Sequence, residues 1–190
     1  MKIIQIGANS GKDHVFDFAL SNKQLIELLI LVEPIPFLID TLKAQYRDFE
    51  VASVEAIAIA DEKTESFTLY YEEESNYEVS SFNKKHILDH GCPEYKIKSV
   101  EVPAMTVNEL LDKYHIDELD YLFVDAEGLD IHILSSIDYG KYKIKNIFFE
   151  IAHTDGANTR GSNFSKITRY LQNLGYTLTT QDSLNMQASL

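Results

Sequence analysis

Lys2-Ile3-Ile4-Gln5-Ile6-Gly7-Ala8-Asn9-Ser10-Gly11 joins an apolar run to a glycine loop near the start of the chain. Lys2 to Ile6 is a short, mostly apolar strand, and Gly7 to Gly11 is a loop. Asp13 to Ser21 follows as a helix whose Val15, Phe16, Phe18 and Ala19 face a sheet. Glycines at this kind of crossover admit positive φ and the close approach of a ligand, and the following helix is expected to aim unpaired backbone N–H groups at a polar group. GxxxG spacing alone is weak. It gains weight from Glu33, which ends the next apolar run, Leu28 to Val32, where a carboxylate can accept both hydroxyls of a ribose.

The same residues exclude two other nucleotide sites. Lys12 follows Gly11, but Asp13 stands where a phosphate-clamping loop needs Ser or Thr, and a dinucleotide-binding GxGxxG fails at Asn9. A nicotinamide-dependent oxidoreductase is therefore disfavoured, while a noncatalytic nucleotide-binding or protein-interaction module stays open.

Working outward, Pro36 suits a first helical turn, and Phe37, Leu38, Leu42 and Tyr46 recur at helical spacing. Val51 to Ile59 reads as a third strand and Ser66 to Tyr71 as a fourth with two-residue alternation. From residue 72 to 98 the periodicity fails. So long an excursion in a compact domain is expected to cover a site, and Tyr70, Tyr71, Tyr77 and Tyr95 around it are candidates for an aromatic pocket. Regularity returns at Val100 to Val102. Thr106 and Glu109 then have capping-box spacing ahead of Leu110 and Leu111. Tyr121 to Val124 and Ile147 to Ile151 are further buried strands, with helices at Ile131 to Ile137 and Asn163 to Asn173. Tyr176 to Thr180 and Asn185 to Ala188 form a terminal antiparallel pair. About five strands separated by helices imply a doubly wound α/β sheet, and no linker, repeat or low-complexity tract divides residues 1–190 into two domains.

Composition narrows the partners. With 17 basic against 30 acidic side chains the formal charge is -13, which repels nucleic acid backbones and anionic lipid surfaces. No apolar run approaches the roughly 20 residues needed to span a bilayer, and the first strand meets Gly7 too early for a signal peptide, so a cytoplasmic location is expected. The single cysteine, Cys92, excludes an intramolecular disulfide and a cysteine-based zinc cluster. Oligomeric state is not set by these features.

Asp125, Glu127 and Asp130 cluster where a core strand gives way to a loop, and Glu150 and His153 stand at the end of the next core strand. If those strands are neighbours, the acids share one crevice and repel one another, so at least one has a raised pKa. Proton transfer or substrate positioning, a hard divalent cation, and ordinary loop capping are all open at this point, and no metal is assigned.

Taken together, Ile4 to Gly11, Val32-Glu33-Pro34, Ala58 to Asp61, Thr106 to Leu111 and Asp120 to Gly128 resemble the FkbM family of S-adenosylmethionine-dependent methyltransferases, in the family order and over about residues 3 to 155. The resemblance implies a class I methyltransferase (Rossmann-like) fold: a mostly parallel seven-stranded sheet with one antiparallel strand near the C-terminus and helices on both faces. It places Gly7, Asn9 and Gly11 near the methionine part of S-adenosyl-L-methionine, Glu33 at its ribose hydroxyls, and Ala58 and Ile59 near its adenine. Asp125, with Glu127 beside it, comes near the transferred methyl. It further implies O-methyl transfer to a small-molecule hydroxyl, such as that of a sugar or natural product. For such an acceptor Asp125, Glu127 and His153 are the candidate proton acceptors.

Overall fold

The computed structural model of the chain describes residues 1–74, 80–126, 128–152 and 160–190. Parallel β-α-β units open it: β1 (Lys2–Ile6), α1 (His14–Ser21), β2 (Leu28–Val32), α2 (Ile39–Gln45) and β3 (Ala52–Glu55). After an insertion the chain resumes with α4 (Val107–Lys113), β7 (Glu118–Val124), α5 (Asp130–Ser136), β8 (Lys143–Glu150) and α6 (Ser162–Asn173). It closes with β9 (Thr177–Thr180) and β10 (Asn185–Ser189). The seven strands lie in the order β3-β2-β1-β7-β8-β10-β9. β10 runs antiparallel to both of its neighbours, while β3, β2, β1, β7 and β8 are mutually parallel. This is the expected sheet with one reversed strand near the C-terminus.

Alternation along the strands builds two cores. Ile3, Leu29 and Leu31 point to one face and pack with Val15 and Ala19 of α1 and Leu42 of α2. Ile4, Ile6, Ile30 and Val32 point to the other, against Leu110 and Leu111 of α4, Ile133 and Leu134 of α5, and Leu171 of α6. Both faces of each central strand are thus buried, which is why these strands read as unbroken apolar runs.

The insertion between β3 and β7 carries β4 (Ala58–Ala60), β5 (Ser66–Tyr71), α3 (Lys84–Asp89) and β6 (Lys98–Thr106), with β4, β6 and β5 forming a second, three-stranded sheet. Val51 to Ile59 is not a single strand: β3 pairs with β2 in the large sheet, and β4 leaves to pair with β6 in the small one. An apolar stretch records burial and not the identity of the strand that supplies the burial. β6 is also longer than the expected Val100 to Val102, because it is shared by β4 on one side and β5 on the other. At its end Thr106 and Glu109 form the anticipated capping box for α4. Among the described residues, no helix is long and apolar enough to cross a membrane.

Candidate cofactor cleft

Strand order reverses between β1 and β7, since the chain proceeds outward from β1 to β2 and β3 on one side and from β7 to β8 on the other. At such a switch point the loops beyond the C-terminal strand ends diverge and leave a crevice. A cleft opens there. Its floor is the end of β1 with Gly7 and Asn9, and its sides are Glu33 and Ile35 after β2 and Asp125 and Ala126 after β7. Ile59 and Leu69 of the small sheet, with Phe82 from the 72–98 excursion, complete an apolar wall.

The loop after β1 is held to both neighbouring strands. Gly7 N and Ala8 N both donate to Val32 O at 3.0 Å, and Asp125 N donates to Ile6 O at 3.0 Å. Gly7 has φ 80°, and a Cβ there would lie 1.8 Å from the carbonyl oxygen of Asp125, so no other residue fits between the two strand ends. Asn9 adopts φ 46°. Its amide donates to Glu33 Oε2 at 2.7 Å, while Ile35 N donates to Glu33 Oε1 at 2.8 Å. Glu33 is therefore both a local turn anchor, satisfying the amide two residues on, and the wall of the cleft facing the glycine loop. The side chain is only 3% exposed. Burial pushes its carboxyl up to about 7, aided by the charge of Asp125 and opposed by the two backbone N–H groups.

Asp130 is a second buried acid, 3% exposed in the first turn of α5 and accepting from Ala126 N at 3.3 Å. Burial foremost, then the charge of Asp125, raises it to about 7. The sequence places Asp130 in the acidic cluster but not underneath the loop, since its burial is set by how α5 packs. Asp125 itself is exposed at the cleft. Glu127 and His153 lie outside the described residues.

Gly7, Asn9, Glu33, Ile59 and Asp125 thus come together around one cleft, whereas Gly11 and Ala58 stand apart from it. A Cβ at Gly11 would meet the side chains of Leu42 and Tyr46 at 2.8 Å, so that glycine admits the packing of α2 behind the loop. Ala58 points into the small-sheet core with Leu69 and Val102. The expectation that the first turn of α1 offers free N–H groups is corrected: Val15 N and Phe16 N donate to Asp13 Oδ1 at 2.9 and 3.0 Å. The carboxylate consumes what an anion would need. Of the candidate tyrosines, Tyr70, Tyr71 and Tyr95 do not line this cleft. Tyr71 packs on Phe37, and Tyr95 is 85% exposed; Tyr77 lies outside the described residues. Among the described residues no group of three or more His, Cys, Asp or Glu is arranged to hold a metal ion.

The profile of the methyltransferase FkbM domain matches residues 5–178. The chain belongs to the FkbM methyltransferase family. A solved FkbM methyltransferase from Methylobacillus flagellatus KT superimposes with a TM-score of 0.59 at 13% identity, covering 98% of this chain and 43% of that one. The present chain therefore spans less than half the length of this relative. The Methanococcus jannaschii fibrillarin pre-rRNA processing protein gives a TM-score of 0.54 at 13% identity, covering 99% of this chain and 65% of that one. Human methyltransferase 10 domain containing protein gives 0.53 at 10% identity, with 100% and 71% covered. At such identities the likeness is one of fold, and it assigns this FkbM domain to the class I methyltransferase architecture. No curated protein sequence matches the chain.

Proposed function

We propose that this FkbM domain binds S-adenosyl-L-methionine in the β1/β7 cleft and transfers its methyl group to a hydroxyl of a small molecule. The carrying observation is the meeting of Asn9 and Glu33: a buried carboxylate at the end of β2 faces a glycine loop at the end of β1, with each oxygen already receiving one N–H. Each oxygen keeps a further lone pair for a ribose hydroxyl. The cofactor fits the residues present. Gly7 lets the ends of β1 and β7 close up as the floor, Ile59 and Leu69 offer an apolar surface to a base, and the negative cleft suits a cation.

When bound, the cofactor supplies an activated methyl on a cationic sulfur. The protein's part is to align donor and acceptor and to exclude water. Glu33 fixes the ribose, the loop from Gly7 to Asn9 holds the amino-acid end, and Asp125 at the opposite wall takes the hydroxyl proton as the methyl moves. A carboxylate is a far weaker base than an alkoxide, so this proton leaves during transfer and not before it. Glu127 and His153 are further candidates for the same task. Ser80 and Phe82 of the 72–98 excursion line the cleft and stand on the acceptor side of a single domain spanning residues 1–190.

Calorimetric titration with S-adenosylmethionine and S-adenosylhomocysteine, followed by methyl transfer assays over a panel of neutral hydroxyl compounds, tests the proposal. Binding of both and turnover of a hydroxyl acceptor support it. Absence of binding overturns it, and binding without turnover over a broad panel favours a noncatalytic binding module. Asp125→Asn is expected to lower turnover more than it weakens S-adenosylhomocysteine.

A further inference from the structure

Gln5 is an anomaly in the core. It is the penultimate residue of the central strand β1, paired with Leu31 on one side and Phe123 on the other, and is 4% exposed. Its side chain points to the face otherwise lined by Ile3, Leu29 and Leu31. A buried carboxamide there is less favourable than an aliphatic residue unless its hydrogen bonds serve a purpose. Its Nε2 donates to Asp13 Oδ2 at 2.7 Å. The other oxygen of Asp13 caps α1 through Val15 N and Phe16 N. One carboxylate thus ties the end of β1 to the start of α1, and Gly7 and Asn9, which line the cleft, lie between.

That loop needs such a tie. Gly7 and Gly11 have φ 80° and 71°, and Asn9, which has a Cβ, is held at φ 46°. Asn tolerates this conformation better than other residues with a Cβ, here with its Oδ1 accepting from Ser10 N at 2.6 Å, and its surroundings hold it further. From the front, Asn9 N is held by Glu33. From behind, Gly11 rests on the Tyr46 ring, and the Tyr46 hydroxyl and Gln5 Oε1 are buried with no hydrogen-bond partner among the described residues. The acidity of that hydroxyl is weakened first by burial and then by the charges of Asp13 and Asp17, which places Asp13 in its surroundings.

We propose that Gln5 and Asp13 are positioning residues for the cofactor: their hydrogen bond fixes the glycine loop from behind so that the Asn9 amide and Glu33 present one preformed face to the ligand. This rests on the cofactor reading above. The pair acts through the loop, and neither side chain lines the cleft.

The test is a charge-swap cycle read by S-adenosylhomocysteine calorimetry and by hydrogen exchange of the Asn9 and Ser10 amides, at a temperature where every variant is folded. Gln5→Glu sets a carboxylate against Asp13 and is expected to weaken binding about tenfold or more and to speed loop exchange. In Gln5→Glu/Asp13→Asn the new amide nitrogen donates to the new carboxylate while the amide oxygen keeps the cap, so affinity returns to within about threefold of the parent. Leu171→Ala, a buried change in α6, lowers the melting temperature without altering affinity or loop exchange. Unchanged affinity and exchange in Gln5→Glu, or no rescue in the double variant, overturns the proposal. If the parent chain does not bind S-adenosylhomocysteine, the cofactor reading falls, and loop exchange in Gln5→Glu alone decides whether the clasp exists.

Discussion

The amide of Asn9 donates to Glu33 Oε2 at 2.7 Å, joining residues 24 positions apart across the ends of β1 and β2. A local amide, Ile35 N, binds the other oxygen. The carboxylate is thereby fixed in direction before any ligand arrives, and such preorganisation is what limits the entropic cost of binding.

Replacing Glu33 by alanine is expected to weaken S-adenosylhomocysteine by about 2–3 kcal/mol, because it removes charge-assisted hydrogen bonds to the ligand and frees the loop. Calorimetry measures this directly. An affinity within twofold of the parent would place the ribose elsewhere.

Affinity should also depend on pH through the same side chain. In the proposed complex ribose hydroxyls donate to the ionised carboxylate, which burial pushes up to about 7 in the free protein. Binding therefore strengthens as pH rises from 6 to 8 and releases a proton, detected by titrating in buffers of different ionisation enthalpy. Proton uptake, or an affinity that falls over this interval, would contradict the assignment.

Buried acids with raised midpoints make the free protein less stable as pH rises. Glu33 moves from 4.5 to about 7 and Asp130 from 3.8 to about 7, so the native state holds more protons than the unfolded chain between those limits. Their stabilising protonation is complete below about pH 4 and lost through pH 7. Asp130→Asn keeps an acceptor for Ala126 N without the charge, and is expected to gain on the order of 1 kcal/mol at pH 8 and little at pH 5. Urea denaturation at the two pH values gives the comparison.

Gly7→Ala tests the closeness of the two strand ends. The added methyl would lie 1.8 Å from the Asp125 carbonyl oxygen at a φ of 80°. A loss of more than about 2 kcal/mol in denaturant melts is expected from overpacking and strain together. A variant as stable as the parent would mean that β1 and β7 do not meet in this way.

Much of the architecture was legible along the chain. Leu28 to Val32, Tyr121 to Val124 and Ile147 to Phe149 are apolar without alternation, as strands covered on both faces are. The capping box at Thr106 and the turn at Gly7 announce themselves through chemistry within a few residues. The break between β3 and β4 did not. Ala56 and Ile57 continue an apolar run while the chain changes sheets, and hydrophobicity carries no label for the partner strand.

Read residue by residue, the chain already gave the central strands and most helices, the glycine loop after β1 and the acid at the end of β2, since each follows from backbone conformation, periodicity or local hydrogen bonding. It took the folded chain to bring Glu33 to Asn9, to put Gly11 against α2 and not in the cleft, to turn Asp13 onto the helix amides, and to bring Gln5 to Asp13. Those relations depend on which surfaces pack together and which charges lose water, and distance and desolvation are properties of the folded chain.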